Sequence, residues 1–314
     1  MSTCASVSRD LDEPISGTAA TAKTWLLLEQ PGPWGAHALT SSHLDPALGR
    51  ALERAAKGTD VRIALIRRPG RHADCGTPSV RRVYASHTAP GNAWLHSAEV
   101  HDPRRLLELD FAALGAGDHD SFGSALDGQP HTGDPLALVC TNGKRDRCCA
   151  LLGRPLAAEL SASGVDGVWE VTHLGGHRFS PTLLVLPYGY AYGRVGAHAV
   201  KEILHSVQDG RIVVEGCRGG SAWERPGQAA ELAVRTAAGE YGADALSVVR
   251  MDGAAPRWEV TVAHADGRHW RVAVAQSASL PPRAESCGTS VLGSPARMDV
   301  VAVRELAPST ALAS

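Results

Sequence analysis

Short apolar runs, broken by glycine and proline, set the rhythm of this chain. Residues 24–30 (TWLLLEQ) form one such run, stopped by Pro31-Gly32-Pro33, and predict a buried strand. Residues 45–57 place Leu48, Ala51, Leu52 and Ala55 at helical spacing. Residues 61–68 (VRIALIRR) end at Pro69-Gly70 and predict a second strand; 80–86 and 94–100 predict two more. Asp102-Pro103 supplies an N-cap and a first-turn proline for one helix running through Leu106 and Phe111 to Gly115. Residues 115–134 have no periodicity and predict a linker, and the polar first 20 residues predict a loosely held arm.

The second half alternates more regularly. Residues 135–139 form a strand running into Cys140, and Asp146 can cap a helix from Arg147 that pauses at Pro155 and resumes to Leu160. Strands follow at 168–172 and 182–186, with a further one at 190–195, and 196–207 is an amphipathic helix carrying Val200, Ile203, Leu204 and Val207. The order β-α-β-β-α is compatible with a thioredoxin-like unit. The remainder predicts a helix at 227–241, a strand at 245–250, a hairpin at 257–275 turning on Asp266-Gly267, and a last strand at 298–306. The fold class is therefore mixed α/β. A thioredoxin-like domain (135–210) is flanked by an N-terminal α/β region (1–120) and a C-terminal helix plus β-hairpin region (211–314).

Composition narrows the function classes. At 44% hydrophobic and 20% charged residues the chain can bury a core, and a formal net charge of −2 argues against nucleic acid or an anionic membrane as partner. The apolar runs are too short to span a bilayer, and no basic start followed by an apolar run opens the chain, so the cytoplasm is the expected compartment. Seven cysteines, three of them within residues 140–149, favour metal or redox chemistry over a disulfide framework.

That chemistry concentrates between Cys140 and His177. Five soft ligands lie there: Cys140, Cys148 and Cys149, then His173 and His177. The eight residues between Cys140 and Cys149 are too many for a zinc knuckle. Leu-Gly-Gly between the histidines disfavours a helix and predicts a loop. Lys144, Arg145, Arg147 and the helix N-terminus supply positive potential for thiolates.

The segments CTNGKRDRCC and HLGGHRF resemble the sucrase/ferredoxin-like family, whose pattern is Cys, eight residues, Cys, then His-x-Gly-Gly-His. Weaker resemblance extends to Gly17-Thr18-Ala19, TWLLLEQPGPWG, PYGYAYGRV and residues 284–287. The resemblance implies a thioredoxin-like [2Fe–2S] ferredoxin whose cluster ligands map onto Cys140, Cys149, His173 and His177. It further implies an electron carrier or reductase component exchanging electrons with a partner protein. Both cysteines precede both histidines, which argues against a Rieske fold. No carboxylate pair suggests a glycosidase.

Two other readings fit the residues: a structural Cys2His2 zinc module, and a thiol oxidoreductase using Cys148 and Cys149, although no C-x-x-C is present. Cys148 is read as a small buried hydrophobe beside the ligand Cys149. Cys4, Cys75, Cys217 and Cys287 are isolated and read as structural or incidental. The basic residues of 211–218 are read as solvated surface, His198 and His205 as exposed, and Tyr188, Tyr190 and Tyr192 as strand packing.

Overall fold

Side chains alternate across two faces of one long sheet, and that alternation organises the computed structural model, which describes residues 3–72, 76 and 78–307. The first half runs α1 (Cys4–Asp10), β1 (Thr24–Glu29), α2 (Pro46–Ala56), β2 (Val61–Arg67), β3 (Arg81–His87) and β4 (Trp94–Val100). A 3-10 helix (Pro103–Glu108), α3 (Phe111–Ala116), α4 (Asp120–Leu126) and the short β5 (Gln129–Pro130) complete it. Next come β6 (Leu136–Cys140), α5 (Arg147–Ala162), β7 (Val168–Val171), a 3-10 turn (His177–Phe179), β8 (Thr182–Leu186), β9 (Tyr190–Gly193), α6 (Ala197–Gln208) and β10 (Cys217–Gly220). The last third has α7 (Arg225–Ala238), β11 (Leu246–Ala254), β12 (Arg257–His264), β13 (His269–Ala278), β14 (Arg283–Ala284), β15 (Leu292–Gly293) and β16 (Ala296–Glu305). The class is mixed α/β.

Ten strands form one sheet in the order β10-β9-β8-β6-β7-β2-β1-β3-β4-β5. Along β1, Leu26 and Leu28 enter a core with Leu48 and Leu52 of α2, while Trp25 and Leu27 face the other way. On β6, Ala137 and Val139 meet α5 and α6, while Leu136, Leu138 and Cys140 share the opposite face with Trp25 and Leu27. The period of two thus builds separate helix-covered cores on one face and a single core across both halves on the other.

The two halves repeat one plan. In the first, β2 and β1 are parallel and β3 and β4 follow antiparallel, in the order β2-β1-β3-β4. The second gives β7-β6-β8-β9 with the same directions. They join edge to edge where β2 and β7 pair antiparallel, Arg67 opposite Glu170. Arg67 contacts Glu170 through Nε (2.8 Å) and Nη2 (2.7 Å), donates to the Gly32 carbonyl at 2.6 Å, and stacks over Trp34. Thr141 Oγ1 donates to the same carboxylate at 2.8 Å.

Several elements differ from the patterning. The first residues are not a loose arm, because α1 is capped by Thr3 and buries Cys4 and Ala5. The single helix predicted over 102–115 is split at Asp110, which caps α3 by accepting from Ala113 N–H. The predicted linker contains α4 and β5. α5 runs through Pro155 without a pause; Leu151 and Pro155 both lie on its exposed face, where water can reach the carbonyl left without a donor. The hairpin turns at Asp266-Gly267 as expected, and β11-β12-β13-β16 form a four-stranded sheet packed on α7. No helix among the described residues is long and apolar enough to cross a membrane.

The seam makes a measurable prediction. Arg67→Leu leaves the Glu170 charge buried without its cation and is expected to cost about 3–5 kcal/mol in urea unfolding. Arg67→Leu combined with Glu170→Leu should cost clearly less; an equal loss would show that the ion pair is not what the seam requires.

Candidate metal centre

The end of β6, the first turn of α5 and the loop after β7 meet at one point. Cys140 is the last residue of β6, and the chain then turns, with Arg145 and Asp146 N–H both bonding to the Asn142 carbonyl at 3.2 Å. Asp146 caps α5 by accepting from Cys148 N–H at 2.9 Å, which sets Cys149 in the first helical turn. α5 lies close against the strand end: a Cβ on Gly153 would sit 2.1 Å from the Cys140 carbonyl oxygen. After β7, Gly175 and Gly176 take φ of +82° and +67° and turn the chain so that His177 opens the 3-10 turn. The histidines therefore lie on a loop, as the glycine pair implied.

Ligand atoms of Cys140, Cys149 and His173 all lie within 4.8 Å of one another. The His177 ring is 5.3 Å from that of His173, centroid to centroid. Both thiols are fully buried, among Trp25, Leu138, Trp169 and Leu174. The Cys140 thiol is held well below its ordinary pKa by a hydrogen bond from Cys149 and by His173, against the effect of burial. Cys149 is correspondingly raised, by its hydrogen bond to Cys140 and by burial.

The histidines show where a metal would attach. His177 Nε2 lies 2.7 Å from the Glu285 carbonyl, which can only accept, so Nε2 carries the proton and Nδ1 the lone pair. Burial lowers the pKa of His177, against the pull of Asp146, and keeps the ring neutral. Nδ1 of His173 and Nδ1 of His177 are both buried and lack a hydrogen-bond partner among the described residues. Two unpartnered imidazole nitrogens beside two buried thiols are a group that could hold a metal ion, and the Glu285 carbonyl fixes the orientation of the His177 ring.

The cations at this site are not those the sequence suggested. Lys144, Arg145 and Arg147 are exposed. Arg62 of β2 instead donates to the His173 carbonyl at 3.2 Å and stacks over Trp25, close enough for the Cys140 charge to oppose the lowering of its pKa by burial. Arg218, expected at the surface, is fully buried; it donates to the Gly175 carbonyl at 3.2 Å and to Thr18, and it packs on Phe179. Burial pushes its pKa down to about 10, with Cys140 and Cys149 pulling the other way. Neither arginine sits in a motif; only the fold brings them here.

Cys148 points away from this centre, toward Cys4 and Cys287, and hydrogen bonds from those two thiols, Cys4 foremost, draw its pKa down to about 5. Cys217 is buried on β10 and pushed up to about 12 by burial. Cys75 lies outside the described residues. His198 and His205 are exposed, and Tyr190 and Tyr192 are buried on β9.

Comparison with known proteins agrees on family. The sucrase/ferredoxin-like description matches residues 15–219, which hold all four candidate ligands. A curated relative, altered inheritance of mitochondria protein 32 from Candida glabrata, is 26% identical over 102 residues, covering 28% of this chain. The match spans 33% of that protein's length. No solved structure matches the chain.

The closeness of α5 to β6 can be tested directly. Gly153→Ala forces the helix start away from Cys140 and is expected to cost about 1–3 kcal/mol, with a matching fall in bound metal. Gly196→Ala, whose Cβ would meet open space, should cost under about 1 kcal/mol. Thermal unfolding with metal analysis reads both, and indistinguishable variants would refute the contact.

Proposed function

The chain belongs to the sucrase/ferredoxin-like family, and on that footing we propose that it is an electron-transfer protein carrying one [2Fe–2S] cluster in a thioredoxin-like unit. Cys140, Cys149, His173 and His177 are the ligands, and the cluster supplies a one-electron redox change. The observation that carries the reading is the pair of buried Nδ1 atoms, without a partner among the described residues, beside two buried thiols. The strand order β7-β6-β8-β9, with β6 and β7 parallel, supports the thioredoxin-like description.

The chain's own residues then have definable tasks. Trp169, Val171, Leu174 and Phe179 keep water from the thiolate side. The His177 side chain is 20% exposed, so the histidine side is where a partner protein would approach for electron exchange. Arg62 places positive charge near Cys140 and so favours the more negative, reduced state.

Iron and acid-labile sulfide analysis tests the reading. About two of each per chain, a visible absorption that bleaches on reduction, and an EPR signal from the reduced protein are expected. All should be lost in Cys140→Ser. A colourless protein holding zinc at these residues would instead make the centre a structural Cys2His2 site.

The charge argument makes a separate prediction. Arg62→Gln keeps a donor for the His173 carbonyl while removing the cation, and should lower the reduction potential by roughly tens of millivolts. An unchanged or raised potential in redox titration would remove Arg62 from this role.

A further inference from the structure

Three cysteines that are far apart in sequence meet at a second point. Sγ of Cys4 lies 3.4 Å from Sγ of Cys148, Cys148 lies 3.2 Å from Cys287, and Cys287 lies 3.5 Å from Cys4. They come from α1, from the first turn of α5, and from the segment between β14 and β15. Asp146 completes the group, with Oδ1 3.8 Å from Cys4 Sγ and the whole side chain buried. We propose that Cys4, Cys148, Cys287 and Asp146 form a second metal site, for a thiophilic d10 dication, and that zinc is its occupant.

Three sulfurs and one carboxylate oxygen, each a ligand type that zinc accepts, can close a tetrahedral shell around the ion. Zinc–thiolate bonds of about 2.3 Å space the sulfurs roughly 3.8 Å apart, so the thiols need separate by only a few tenths of an ångström to admit the ion. Asp146 Oδ1 accepts from Cys148 N–H and, at 3.8 Å, from the Cys4 thiol, whose proton the ion would replace. Oδ2 is held by Ser286 Oγ and Cys287 N–H, both at 2.9 Å, which fixes the carboxylate before any ion arrives. Ala5 and Leu152 wall the site, and half-buried Cys287 leaves a way in from solvent.

Three mutually adjacent thiols also distinguish this from a disulfide, which would join two of them and strand the third beside a buried carboxylate. The ion would clamp the N-terminal helix and the 284–292 segment onto the start of α5. The proposal does not depend on what Cys140 and Cys149 hold.

The test uses full-length protein carrying Cys140→Ser, which disables the neighbouring centre and leaves this one. Stripped of metal under reducing, oxygen-free conditions, it is titrated with Zn2+ against a chromophoric chelator. One tightly held equivalent is expected, weakened at least about tenfold by adding Cys287→Ser on the accessible loop. No tight zinc, or tight zinc indifferent to Cys287→Ser, overturns the site. In the wild-type chain, Zn2+ should shield Cys4, Cys148 and Cys287 together from iodoacetamide. Labelling unaffected by zinc, or a native Cys148–Cys287 disulfide found by mass mapping in zinc-free protein, overturns it too. Iron and sulfide content are read on the other ligands, so failure there and failure here remain separate results.

Discussion

The carboxylate of Asp146 is buried, and a buried carboxylate must find donors where it lies. It finds them on three segments: Cys148 N–H at the start of α5, Ser286 and Cys287 beyond β14, and the Cys4 thiol of α1 at 3.8 Å, with His177 Nε2 3.5 Å away. Its pKa is lowered by those bonds and by His177, against burial, so the charged form is the one the fold holds. Helix start, histidine loop and C-terminal segment are therefore positioned by one group.

The sheet supplies the rigid base for this arrangement. Each half contributes the same four-strand plan, and the seam between β2 and β7 turns two modest sheets into one whose far face carries a common core. That core is where Cys140, Cys149 and Leu174 pack, so the site rests on residues from both halves. Arg62, from the first half, reaches His173 of the second across the seam. The first half thus serves as more than a neighbour: it supplies the Arg62 cation, the Trp25 face and a donor for the His173 carbonyl.

Much of this was legible in the chain, and the limits of legibility have physical causes. Strands were readable because their apolar runs are bounded by Pro and Gly, and the concentration of Cys140, Cys149 and His173 at one point because soft ligands at that spacing are unusual. The glycine pair before His177 announced the loop through its backbone freedom, and positive φ at both positions bears that out. What escaped depends on tertiary contact. Cys4 and Cys287 look isolated because 283 residues separate them, yet their sulfurs touch. Arg218 reads as a surface cation until its carbonyl partners are known. The repeated strand order leaves no trace of sequence identity to follow, since a plan of parallel and antiparallel pairing can be met by any apolar residues with the right alternation.

The tandem Cys148-Cys149 shows most clearly why sequence could not finish the reading. Successive residues on a helix point about 100° apart, so two adjacent cysteines in its first turn cannot serve one small site together. The fold gives each its own pocket: Cys149 faces Cys140 and the common core, and Cys148 faces Cys4 and Cys287. The family resemblance favours the second of the pair and leaves the first without a purpose. Geometry separates the two, because the helix that delivers one thiol to the strand end delivers its neighbour to the buried cluster between α1 and the segment after β14. Asp146, just ahead of them, caps that helix, and its two oxygens face the two pockets, Oδ1 toward Cys4 and Oδ2 toward His177. The two pockets therefore share a single carboxylate.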